Sequence, residues 1–259
     1  MNTVFAIASV TIKELYRRKD FYVLFVLSAL ITLMAGSASF FHDDKIVRYL
    51  KELCLLLIWV SSLVIAITTT ARQIPAEREQ RTIFPLLAKP VSRGQVIAGK
   101  FFGCWLATGL ALVLFYVFLG VVSASREHTW PLLNYFQAFW LQWMMLGVVT
   151  AMVLAGSIIF AAPSSNSTIC FVVVLGILVL GGHLHQVALD RPEPSRTLLS
   201  TIYFLIPHLE WFDVRDLVVH ERGLVAWWAV GAASVYAAAY TTFFLFAAWV
   251  LFRRKALNT

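Results

Sequence analysis

Residues 94–103 read "GQVIAGKFFG", in which Gly94, four residues, Gly99 and Lys100 fit the first seven positions of the phosphate-cradling pattern G-x-x-x-x-G-K-[ST]. In such a loop, backbone N–H groups ring the phosphates, the lysine meets the outer ones and a hydroxyl at position eight holds magnesium. Position eight here is Phe101, which cannot ligate a metal. A Pro-Val-Ser-Arg turn stands where a buried strand is needed, and an apolar tract follows where a soluble helix is needed. No acid ends an apolar strand to serve as the second magnesium partner. Nucleotide binding through this stretch is not expected, and no catalytic or cofactor-binding residue is assigned in the chain.

Imidazole is the commonest metal ligand, so the six histidines, at 42, 128, 183, 185, 208 and 220, are the next candidates. His183, His185 and His208 form one metal set to weigh. The two-residue spacing of the first pair would splay them on a helix, and no carboxylate or thiol completes a motif. The preferred reading is polar histidines at a membrane boundary. Glu210, Asp213 and Asp216 are not spaced with any histidine as a hydrolytic motif and read as a charged, solvated helix. Cys54, Cys104 and Cys170 fall in or beside apolar tracts and read as small buried hydrophobes, not as disulfides or thiolate ligands.

These residues must be held by elements of an unusual solvent. The chain is 60% hydrophobic and 14% charged, against roughly 45–50% apolar in an average soluble domain, which makes it an all-α integral membrane protein. Uncharged tracts of 21, 19, 25 and 30 residues separate Asp20 from His42, Glu52 from Arg72, Lys100 from Arg126 and Arg222 from Arg253. Each is long enough to cross about 30 Å of hydrocarbon as a helix rising about 1.5 Å per residue. A fifth tract, Thr129 to Gly182, is too long for one span and is broken by the polar turn "APSSNST" at 162–168. The expectation is one transmembrane domain over 1–259 with six spans, at about 21–41, 53–74, 98–124, 134–161, 168–189 and 224–252.

An even number of spans puts both termini on one side, and the basic residues say which. Thirteen of the 21 lysines and arginines lie in three segments: Lys13 to Lys19, Arg72 to Lys100 and Arg253 to Lys255. These segments are expected to be cytoplasmic, in the cell membrane. Topology then accounts for the net charge of +7 without a nucleic-acid partner. No cleavable leader is expected, because about twenty residues of mixed character precede a long first apolar tract.

Between the spans, Phe5, Ala8, Ile12 and Leu15 recur at helical spacing, with Lys13 and Arg17 on another face, so residues 1–20 suit a helix in the inner membrane interface. "HDDKIVRYLKE" at 42–52 reads as a charged outer hairpin. In the outer segment 190–222, "TLLSTIYFLIPHL" is too short to span and too apolar for a free loop, so a re-entrant segment before the last helix is expected, ended by Pro207. In the inner loop 75–97, Glu77 to Leu87 suits a short amphipathic helix presenting Glu77, Arg78, Glu79 and Arg81. Ser92 can cap the next helix, and Gly99 and Gly103 would let a neighbouring backbone approach closely. No Asp, Glu, Lys, Arg or His stands in the middle of a span, where ion-coupled carriers place the groups that bind the driving ion.

The loop "EREQRTIFPLLAKPVSRGQVIAGK" resembles the hallmark loop of type 2 ATP-binding-cassette exporter permeases. The matching positions are Glu79, Thr82, Leu86, Leu87, Pro90, Ser92, Arg93, Gly99 and Lys100. Arg81 stands where many relatives have glycine, and Pro85 interrupts the helix. "LLAKPVSR" and "IPHLEWFDVRD" (206–216) are similar to a branch of small permeases associated with multicopper-enzyme maturation. The resemblance implies a two-copy permease in membrane lipid, and a separate nucleotide-binding subunit that holds ATP and magnesium. It also implies a coupling element after the second span, on which Glu77, Arg78, Glu79, Thr82, Leu86, Leu87, Pro90, Ser92 and Arg93 meet that subunit. The alternatives are a secondary transporter or channel, disfavoured by the missing mid-membrane charges, and a membrane-embedded enzyme or metal-handling protein using the outer histidines.

Overall fold

A computed structural model of the chain describes residues 3–17, 19–37, 43–79, 91–127, 131–160, 162–189, 193, 196–197, 200–201, 203, 206–220 and 223–254. Among them every regular element is helical: α1 Thr3–Tyr16, α2 Lys19–Ser37, α3 Asp43–Ala71, α4 Gln73–Glu79, α5 Arg93–Glu127, α6 Leu132–Ile159, α7 Pro163–Leu189, α8 Arg215–Val219 and α9 Trp227–Arg254, with a 3-10 turn at Leu209–Phe212. Four of the described helices are long and apolar enough to cross a membrane, in α3–α4, α5, α6 and α9. Shorter apolar stretches, Tyr22–Met34 and Pro163–Val179, lie in α2 and α7.

α3, α5 and α6 pack together as the core, with α2 on α3, α7 on α3 and α6, α9 on α6 and α1 on α5. α6 is the central helix. Of its most apolar stretch 78% is buried, against 17% for α9, which turns Trp228, Val235, Phe243 and Phe246 outward. Several hydroxyls inside the helices are satisfied locally, as where Ser28, Thr32 and Thr108 donate to the carbonyl four residues back. Between helices, the buried Tyr116 hydroxyl donates to Gln142 Oε1 at 2.9 Å, and the Gln142 amide donates to Ser62 Oγ at 2.8 Å. In this relay α3, α5 and α6 share satisfied polar groups.

α5 and α6 are clasped by two tryptophans. The Trp105 and Trp143 rings stack at 4.5 Å, and each indole N–H donates to the other residue's backbone carbonyl, at 3.0 and 3.2 Å. Each ring lies over a glycine one turn further along the opposite helix: a Cβ on Gly109 would come within 2.5 Å of Trp143 Nε1, and one on Gly147 within 3.0 Å of Trp105 Nε1. α9 is joined to α6 by Trp140, whose indole donates to Ser234 Oγ at 2.9 Å. Gln137 adds a second link, because its side-chain amide mimics a backbone: Nε2 donates to Val225 O at 3.0 Å and Oε1 accepts from Val225 N at 2.9 Å.

Several expected boundaries move. α3 begins at Asp43, so the expected hairpin 42–52 is, from Asp43 on, the first turns of the helix; two aspartates at its start suit the positive end of the helix dipole. α7 begins at Pro163, which shortens the expected turn 162–168. Proline is at home in the first helical position, and Asn166 is drawn into the core, donating to Val153 O at 3.2 Å. α5 starts at Arg93, ahead of the expected 98. Much of the expected re-entrant stretch, at 198–199, 202 and 204–205, lies outside the described residues.

Candidate functional site

At one end of the bundle the start of α5, the end of α9, α4 and α1 meet. This basic end carries Lys13, Arg17, Arg72, Arg78, Arg93, Lys100, Arg253 and Arg254. Its geometry explains the Gly-Lys match. Gly94, Gly99 and Lys100 lie in the α-helix α5, so their backbone forms no phosphate cradle. Gly99 and Gly103 serve α1 instead: a Cβ on Gly99 would lie 2.7 Å from Ile7 Cβ and 3.1 Å from Val4 O, and one on Gly103 would lie 2.6 Å from Thr11 Cβ and 3.1 Å from Ala8 O. Small residues four apart let the two backbones touch, as their spacing predicts. α1 buries Ala8, Thr11 and Leu15 against the bundle, while Phe5, from the same expected apolar stripe, is 67% exposed. The two glycines, rather than the bulkiest apolar residue, decide which face is used.

Lys100 is 3% exposed and points to α4. Its Nζ lies 2.7 Å from Glu77 Oε1 and 3.3 Å from both the main-chain and side-chain oxygens of Gln73. Three acceptors for three ammonium hydrogens satisfy the group completely. Glu77, expected on the displayed face of the loop, is thereby turned inward, and α4 is tied to α5. Helix α4 starts at Gln73, earlier than the expected Glu77, with Pro75 in its first turn where no intrahelical N–H is required. Glu79 is exposed and Arg78 half-buried.

Where the chain returns, Ser92 and Gln95 form a reciprocal cap. Gln95 N–H donates to Ser92 Oγ at 3.2 Å, and Ser92 N–H donates to Gln95 Oε1 at 3.0 Å. Arg93 then reaches across to α9: Nη1 donates to Phe252 O at 2.6 Å and Arg253 O at 3.1 Å, with the guanidinium 5.5 Å from the Phe252 ring centroid. A cation on the last carbonyls of a helix satisfies groups that have no intrahelical partner and opposes the dipole. Of the predicted coupling residues, Glu77, Arg78, Glu79, Ser92 and Arg93 are gathered on this end, whereas Thr82, Leu86, Leu87 and Pro90 lie outside the described residues.

At the opposite end His208 is buried against Tyr203 and Trp211, and its Nδ1 lies 3.0 Å from the Tyr236 hydroxyl. His183 and His185 lie in the last turns of α7, and their side chains are outside the described set. Among the described residues no three His, Cys, Asp or Glu side chains are grouped to hold a metal ion. The three expected acids have separate surroundings. Asp213 takes Arg215 in a two-pronged pair at 2.9 and 2.6 Å, which raises the arginine above its ordinary value. Glu210 sits against Gly181, and Asp216 lines an outward cleft of about 510 Å³ with Tyr49, Glu52 and Arg215. The three cysteines are free and buried, as small hydrophobes would be.

Residues 5–257 match the family described as ABC-2 family transporter protein. The chain belongs to this family. It is a permease, the membrane subunit of an ATP-binding-cassette transporter, and membership implies an ATP-binding partner subunit. No curated protein matches the permease. The Trp105–Trp143 clasp and the Glu77–Lys100 pair of this permease were not foreseen in the sequence. The signal for the clasp was present as a repeated W-x-x-x-G, at 105–109 and 143–147.

Proposed function

We propose that two copies of this permease form the pathway of an ATP-driven exporter in the cell membrane, each with six spans and both termini in the cytoplasm. A separate subunit binds ATP and magnesium and docks on the basic end, where the loop after α4 is the coupling element. The observation that carries this reading is the mechanical continuity of that end. Glu77–Lys100 joins α4 to α5, Arg93 joins α5 to α9, and the Gly99/Gly103 groove joins α1 to α5. A push on the loop therefore reaches three helices as rigid-body motion. The outward apolar residues of α2 and α9 are available to lipid and to the second copy.

The reading is tested by purifying the permease with candidate nucleotide-binding subunits and reconstituting it in nanodiscs. A stable complex whose ATPase rate changes on assembly, and which loses assembly on Glu79→Lys together with Ser92→Pro, is the expected result. Transport by the permease alone, driven by a proton or sodium gradient, refutes it.

A further inference from the structure

We propose that one edge of the Arg78 guanidinium is a socket for a single carboxylate of the nucleotide-binding subunit, built into the permease before that subunit arrives. The inference rests on the coupling role given to the basic end and names the chemistry of the contact. Arg78 lies in α4, and its Nε and Nη2 are shielded from solvent with no hydrogen-bond partner among the described residues. Those two nitrogens form the side edge of the planar group, whose parallel N–H bonds match the two oxygens of a carboxylate. Arginine cannot escape the situation by losing its proton, so a shielded, unpaired guanidinium is held at a cost.

The described residues offer no partner. α4 packs on α3 and α6. α6 contains no Asp, Glu, Lys, Arg or His over its whole length, and the acids of α3, Asp43, Asp44 and Glu52, stand at its opposite end. Arg72, at the junction of α3 and α4, carries the same sign as Arg78. Within α4, Glu77 is committed to Lys100, and Glu79 is exposed. The Glu77–Lys100 pair also fixes the helix, so the Arg78 edge is presented in a defined place instead of on a free arm.

A phospholipid phosphate offers similar oxygens, but the charge pattern selects a protein. Arg78 is bracketed by Glu77 and Glu79, and an exposed carboxylate beside the socket repels a surface dense in phosphates. A folded partner can place one acid opposite Arg78 and a basic group opposite Glu79.

The test measures affinity of the nanodisc-embedded permease for its nucleotide-binding subunit, beside thermal unfolding of the permease alone, for wild type, Arg78→Gln, Arg78→Lys and the exposed control Arg72→Gln. Arg78→Gln should weaken binding about 10- to 100-fold, the range of a charge-assisted hydrogen-bond pair, and leave the isolated permease equally or more heat-stable. Arg78→Lys should recover only part of the loss, and Arg72→Gln should change affinity less than about threefold if the surface charge is merely screened. One partner Asp or Glu should show coupling to Arg78 in a double-mutant cycle.

Equal affinity of wild type and Arg78→Gln overturns the socket and leaves the coupling role standing. So does a fall in stability of isolated Arg78→Gln large enough to explain its binding loss. If the Arg78 effect disappears in nanodiscs free of anionic lipid, the occupant is a lipid phosphate and the socket is again overturned. A wild-type permease that binds no nucleotide-binding subunit overturns the coupling role, and the socket with it.

Discussion

At Lys100, burial of an ammonium is tolerated because Glu77 and two oxygens of Gln73 replace its hydration within one chain. Removing either charge strands the other, so Lys100→Met or Glu77→Gln alone should each destabilise the permease by about 2–4 kcal/mol. The double variant should lose less than the sum of the two, read as thermal unfolding in detergent across a double-mutant cycle. Arg93→Ala should cost about 1–2 kcal/mol by uncovering the last carbonyls of α9, visible as faster hydrogen exchange at residues 250–254. Sequence pointed Glu77 outward because twenty-three positions separate it from Lys100, and charge periodicity carries no information about such a partner. Ser92 was legible because its cap closes within three residues.

Among the elements, contacts made through glycine were the readable ones when both glycines sat on one helix. Gly99 and Gly103 announced a close neighbour, though not that the neighbour would be α1. Gly103→Val should drive α1 off α5, since its side chain would occupy the place of Thr11 Cβ. Limited proteolysis of α1 should then speed up at least several-fold while α5 and α6 stay protected. The Trp105–Trp143 clasp escaped notice because the hydrogen bonds that fix the two indoles run to backbone 38 residues away. Gly109→Ala places a methyl where the Trp143 ring stands and should cost about 1–3 kcal/mol as overpacking. In a background that keeps only Trp105 and Trp143, replacing one of the two by Phe should also change the emission of the remaining indole.

For the molecule as a whole, composition was enough for an all-helical membrane protein, and the charge-free tracts fall within or overlap α3, α5, α6 and α9. The helices α3 and α7 start earlier than the tracts do, since charged and polar first turns look like loop in a count of apolar residues; at 163–168 the helix is carried by backbone bonds such as Asn166 N–H to Ala162 O, and the Asn166 side chain is satisfied in the core. The proposed orientation rests on the basic segments. Cysteines introduced singly at Ser9 and at Glu193 in a Cys-free background should react with an impermeant maleimide from opposite faces of intact cells, Glu193 from outside. Labelling of both from the same face contradicts the six-span topology. α9 is pinned to its neighbours at both extremities, by the Gln137 amide on Val225 and by Arg93 on its final carbonyls. A rod fastened at top and bottom to different partners cannot slide along its axis; it can only turn or bow. Work delivered at the basic end would then emerge at the far end as torque, next to the turn at 209–212, in place of a piston stroke.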